Sequence, residues 1–175
     1  MTRPAVAAPF PIQTIPRLGG GMLTLGVTET PGNWQLVVVY RGLHCPLCKA
    51  YLSTLQDLFD GFTADGVEVV AVSGDGEDKA RAFADEVGLT LPVGYGMTTQ
   101  QMQALGLWIS TPRSPKETDR PFPEPGLFVI NAEGMLQVAD ISNAPWARPD
   151  LAFVRRGIAY VRQNGQPIRG TYSGA

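Results

Sequence analysis

Leu36-Val37-Val38-Val39-Tyr40 is an unbroken apolar run dominated by β-branched side chains. Such a run predicts a strand covered on both faces. A second run, Val67 to Val72 with only Glu68 polar, predicts another. Between them the period changes. Leu47, Tyr51, Leu55 and Phe59 recur every four residues, with Leu52 and Leu58 widening the stripe. That spacing predicts an amphipathic helix that starts at Pro46 and stops at Gly61. Asp75 is expected to cap a further helix carrying Ala80, Phe83, Ala84 and Val87, ended by Gly88.

A short strand is expected over 91–95. Thr98 and Gln101 have capping-box spacing for a short helix through Leu105. Residues 127–130 and 135–139, joined by the turn at 131–134, predict a hairpin. A last helix is expected from about 149 to 164, with Leu151, Val154, Ile158 and Val161 on one face. Upstream, 22–25 reads as a short strand and 30–33 as a turn. The order is βαβα, a short helix, then ββα. It predicts an α/β domain over 21–165 with one antiparallel excursion in its sheet. Residues 1–20 read as a loose arm and 166–175 as a tail. Residues 109–126 hold five prolines and no periodicity, and such a loop is usually functional or mobile.

Composition narrows the classes. The 175 residues suffice for one domain with a real core. With 44% hydrophobic and 17% charged residues the chain is globular. A net charge of -2 and no basic run make nucleic acid a poor partner. The first residues, MTRPAVAAPFPIQ, are broken by three prolines and make a poor signal-peptide core. No run is apolar enough to span a bilayer, so a cytoplasmic protein is expected.

The chemistry concentrates in Tyr40 to Leu52, YRGLHCPLCKAYL, which holds both cysteines and the only histidine. Cys45 falls at the expected N-cap, Pro46 at the first helical position and Cys48 at the third. The free N–H groups of a helix start favour a thiolate there, so Cys45 is expected to ionise below an ordinary cysteine. Cys48, deeper in the turn, is the expected resolving thiol. A redox pair is favoured over two packed structural thiols. Zinc wants four ligands, and only His44 remains to help. A cysteine hydrolase needs a histidine from elsewhere in the fold, and none exists. His44 can tune the thiolate or merely form an aromatic rim. Ser73-Gly74-Asp75-Gly76 lacks the third glycine of a dinucleotide fingerprint and reads as turn and cap. No cofactor and no metal are expected.

The stretch from the strand through CPLC resembles the thioredoxin fold. The wider pattern, through VEVVAVSGDGEDKARAFADEVGLTLPV and PGLFVINAEGMLQVAD, resembles the peroxiredoxin-like alkyl hydroperoxide reductase C/thiol-specific antioxidant group over roughly residues 20–165. The resemblance implies a central mixed β-sheet flanked by helices, with an N-terminal extension and a late β-hairpin. It implies Cys45 as the attacking cysteine and Pro125 as the cis-proline facing the thiol. An arginine steadying the thiolate is also implied, with Arg120, Arg148 and nearby Arg41 as candidates. Trp146 or Arg148 is expected to shape the site rim. The chain departs from the group at Gly42, where relatives carry Thr or Ser, and at Val38, where they carry proline. The implied activity is antioxidant reduction of peroxides. A thioredoxin-like protein disulfide reductase and a non-catalytic binding module are the alternatives. The implied partner is an external thiol reductant, thioredoxin- or glutathione-like, and dimers are common among relatives.

Overall fold

A computed structural model describes residues 3–172. The first two residues of the expected arm and the last three of the expected tail lie outside it. In chain order the elements are β1 (Gln13–Pro16), β2 (Met22–Leu25), β3 (Trp34–Val39), α1 (Pro46–Asp57), α2 (Phe59–Ala64), β4 (Val67–Val72), α3 (Glu77–Val87), β5 (Val93–Gly94), α4 (Thr99–Ala104), β6 (Ile109–Ser110), β7 (Phe122–Pro123), β8 (Gly126–Ile130), β9 (Leu136–Ile141) and α5 (Leu151–Asn164).

The central sheet has the order β5-β4-β3-β8-β9. β3, β4 and β5 run parallel, and β8 and β9 are antiparallel to their neighbours. This is a thioredoxin-like α/β fold with a mixed sheet, and β8–β9 is the expected late hairpin. Strand alternation divides the core. Leu36 and Val38 face a layer containing Leu52, Leu55, Phe83, Leu151 and Ile158, so α1, α3 and α5 cover one side. Val37 and Val39 face Met102, Leu105, Phe128 and the β1–β2 residues Ile15, Leu23 and Leu25. The unbroken apolar run of β3 follows from its position between these two layers.

Four local expectations change. The N-terminal segment is not a loose arm, because β1 pairs antiparallel with β2 and Phe10 and Ile15 are buried. The first helix breaks at Leu58, not Gly61; Gly61 lies inside α2, where an added Cβ would meet the Arg155 side chain. The cap of α3 is Gly76, not Asp75. The last helix starts at Leu151, capped by the Asp150 carboxylate, which accepts from the Phe153 N–H at 2.6 Å. The expected caps at Thr98 and Gly88 are present.

Residues 109–126 are held by specific contacts. β6 pairs with β7, and the Glu124 N–H donates to the Trp108 carbonyl at 2.8 Å. Glu124, itself buried, accepts from the Ser110 hydroxyl at 2.6 Å and lies 3.1 Å from Arg41 Nε. Lys79 on α3 donates to Asp119 at 2.7 Å. A segment without periodicity is thus anchored by ionic contacts from distant parts of the chain.

Candidate active site

β3 carries the chain to Tyr40, and a tight loop from Arg41 to His44 leads into α1. Cys45 is the N-cap of α1, in extended conformation, with Pro46 in the first turn. The Cys48 N–H donates to Cys45 Sγ at 3.2 Å. This amide is one of the helix-start donors that favour negative charge on the cap sulfur. Cys45 and Cys48 are joined in a disulfide with their Cα atoms 5.2 Å apart. Both are enclosed, Cys45 at 1% exposure and Cys48 at 0%. The expected difference in exposure between the two thiols is absent, because Cys45 is as enclosed as Cys48. Pro46 and Leu47 stand exposed beside it.

Gly42 has φ +132°, where a side chain is strained. A Cβ there would lie 2.6 and 2.7 Å from the two carboxylate oxygens of Asp75. Asp75 is only 2% exposed, and its Oδ2 accepts from the Leu43 N–H at 2.7 Å. Burial pushes its pKa above the ordinary carboxylate value, while the Leu43 amide pulls the other way. The absent hydroxyl at 42 and the buried acid at 75 are therefore one feature. Asp75 was expected to cap α3; it braces the loop before Cys45 instead.

Of the candidate arginines, Arg148 reaches the cysteines. Its Nη2 donates to Cys48 Sγ at 2.9 Å and its Nε to the Pro145 carbonyl at 2.9 Å. The guanidinium lies over the Tyr51 ring, 4.9 Å from the centroid. Tyr51 is fixed in turn, its hydroxyl donating to the Pro149 carbonyl at 2.8 Å. Burial lowers Arg148 to about 10, which still leaves it cationic at neutral pH. Arg120 instead pairs with Asp119 at 3.0 Å, near Gly76. Arg41 sits over the Phe122 ring and beside Glu124. None of the hydrogen bonds or ion pairs of Arg120 or Arg41 involves a cysteine.

His44 packs edge-on against Phe122, ring centroids 4.6 Å apart. Both ring nitrogens are buried without a hydrogen-bond partner. Burial first, and Arg41 second, hold its pKa below the usual imidazole value, so the ring is neutral at pH 7. Trp146 is 77% exposed and lines an open cleft with Leu47, Tyr51 and Arg148. Pro125 lies beside Tyr51 and Arg148 around a cavity of only ≈ 10 Å³. The cis bond expected at Pro125 is absent, and every described peptide bond is trans. Here the Pro125 carbonyl accepts from the Ser142 N–H at 3.0 Å, which extends the β8–β9 pairing past the strand ends. Among the described residues no cluster of three or more His, Cys, Asp or Glu could hold a metal ion. No described helix is long and apolar enough to cross a membrane.

The family model described as AhpC/TSA family matches residues 6–139, more than half of the chain. This chain belongs to the AhpC/TSA family. Solved structures agree in fold at low identity. Peroxiredoxin 6 of Arenicola marina superposes with a TM-score of 0.78 at 18% identity, over 93% of this chain and 75% of that one. A peroxiredoxin-like protein from Aquifex aeolicus gives 0.76 at 15%, over 92% and 90%. Mycobacterium bovis AhpC gives 0.73 at 15%, over 98% and 99%. A curated relative, the thiol-disulfide oxidoreductase ResA of Oceanobacillus iheyensis, is 46% identical over 50 residues. That match spans 28% of this chain and 26% of that protein.

Sequence reasoning passed over two members of the site of this AhpC/TSA protein. Asp75 was legible only through Gly42, since a glycine in a tight loop signals that something else fills its space. Tyr51 fits the core stripe of α1, although its position three residues after Cys48 places it on the same helix face.

Proposed function

We propose that the protein is a thiol-dependent oxidoreductase that cycles Cys45 and Cys48 between dithiol and disulfide, with a peroxide as oxidant. The observation that carries this reading is the enclosure of Cys45 at a helix N-terminus, with the Cys48 amide on its sulfur and Cys48 in bonding reach. A peroxide is small enough to reach a sulfur enclosed in this way.

In the first step the Cys45 thiolate attacks one peroxide oxygen. The O–O bond breaks, the alcohol or water leaves with a proton, and Cys45 becomes a sulfenic acid. Cys48 then attacks the Cys45 sulfur and expels the oxygen as water, forming the disulfide. Two equivalents of an external thiol, of thioredoxin or glutathione type, restore the dithiol and leave as their own disulfide.

Rapid mixing of the reduced protein with hydrogen peroxide or an alkyl hydroperoxide tests this, with C45S as control. Oxidation of Cys45 is expected to be orders of magnitude faster than that of a free small thiol. A rate equal to the free thiol's would exclude the peroxidase reading.

A second reading, reduction of protein disulfides, is favoured by the absent hydroxyl at Gly42 and by the exposed Leu47 and Trp146 beside the pair. It predicts disulfide reduction of insulin that is lost in C45S.

A further inference from the structure

The guanidinium that reaches the disulfide meets its inner sulfur. Arg148 is held there by three independent contacts: the Pro145 carbonyl on Nε, the Tyr51 ring beneath, and Cys48 Sγ on Nη2. Its Nη1 is buried and has no acceptor. Among the described residues no carboxylate lies within ion-pair distance of it. The charged and titratable groups that face this corner are Tyr51, Arg41 and Glu124, with Asp140 and Asp150 acting on Tyr51. Burial keeps the Tyr51 hydroxyl above its usual pKa, so it stays neutral. A partly buried cation with no carboxylate in ion-pair contact is costly, and an anion forming beside it offsets that cost. When the disulfide opens, the thiol released against Arg148 Nη2 is Cys48.

We propose that Arg148 is a catalytic residue of the Cys48 half of the cycle, stabilising the Cys48 thiolate whenever the disulfide opens or closes. The proposal rests on the dithiol–disulfide reading above. When an external thiolate attacks Cys45 Sγ, a new S–S bond forms there and the Cys45–Cys48 bond breaks. Its electron pair leaves on Cys48 Sγ, directly against the Arg148 N–H. A second external thiolate then displaces Cys45 as thiolate and departs as the disulfide. In the closing direction the Cys48 thiolate held against Arg148 attacks the Cys45 sulfenic sulfur, and the oxygen leaves as water. A stabilised leaving thiolate departs faster and shifts the couple toward the dithiol.

The first measurement is the titration of Cys48 in C45S, where it is the lone cysteine, followed by thiolate absorbance or by alkylation rate against pH. In C45S/R148M, which keeps bulk and removes charge, Cys48 is expected to titrate about one unit higher or more, a roughly 10-fold loss of thiolate near neutral pH. C45S/R148K should retain most of the depression. An unchanged titration in R148M, or equal shifts in R148M and R148K, would overturn the proposal by assigning the contact to packing. R148Q is a second neutral variant should R148M not fold. The second measurement is equilibration of the two-cysteine protein with a glutathione buffer, where R148M should populate the disulfide about 10-fold more than the parent. Neither readout needs peroxide. Slow peroxide oxidation with an intact titration difference would remove the peroxidase reading alone, and the reverse result would remove the role of Arg148 alone.

Discussion

Asp75 shows how a single side chain can be invisible in sequence and decisive in space. Read along the chain, it precedes a helix and resembles a cap. In the fold it braces the Leu43 amide two residues before Cys45 and fills the space that Gly42 leaves open. Its charge has a signed consequence. The folded pKa is raised above the unfolded one, chiefly by burial, with Asp119 acting in the same direction and Lys79 and Arg120 opposing. Above the ordinary aspartate value the unfolded chain therefore releases this proton first, and the folded state binds more protons. Stability contributed by Asp75 is full below that ordinary value and is lost as pH rises through the folded pKa. D75N keeps an oxygen for the Leu43 amide and removes the titration. The difference in unfolding free energy between parent and D75N, measured in urea across acid to neutral pH, should move in favour of D75N as pH rises. A difference that is flat with pH would show that Asp75 does not titrate with folding.

At the scale of elements, the helices and central strands were legible because their periods are set locally. The CPLC helix start could be assigned to the residue, since Pro46, the apolar stripe and the preceding strand all agree. The 109–126 segment was not legible, because its order comes from partners far away in sequence. Glu124 is the clearest of these anchors. It bonds Ser110 across the β6–β7 hairpin and stands beside Arg41 from the thiol loop, with both charged side chains largely enclosed. The two charges approach at 3.1 Å but out of line for a hydrogen bond, so the ion pair works by proximity. Removing the carboxylate leaves Arg41 half-buried without its nearest counter-charge. E124A should cost about 3 kcal/mol in denaturant unfolding, and it should expose 109–126 to limited proteolysis. E124Q, which keeps the acceptor for Ser110, should be less harmful. If E124A unfolds and is cleaved as the parent is, the segment is held by its backbone pairing alone.

At the scale of the molecule, the sheet separates stability from chemistry. The disulfide, Arg148 and Tyr51 lie with the layer under α1, α3 and α5. The opposite face is closed by α4 and by the N-terminal segment, whose burial its proline-broken sequence did not announce. Phe10 packs edge-on against Phe128 with ring centroids 5.5 Å apart, and its ring lies against Gly26. Phe128 belongs to β8, which pairs directly with β3, the strand that delivers the thiol loop. Truncating Phe10 removes a buried aromatic from the second core while leaving every cysteine contact in place. F10A should therefore cost about 3–5 kcal/mol, or a fall in Tm on the order of 10 °C for a domain of this size. Measured well below that Tm, the folded F10A protein should keep the parent's Cys45 oxidation rate and its position in a glutathione buffer. Loss of stability with unchanged thiol chemistry would mark the N-terminal segment as part of the core and remote from the site. A changed redox equilibrium in the folded variant would mean that the two faces of the sheet are coupled through β3.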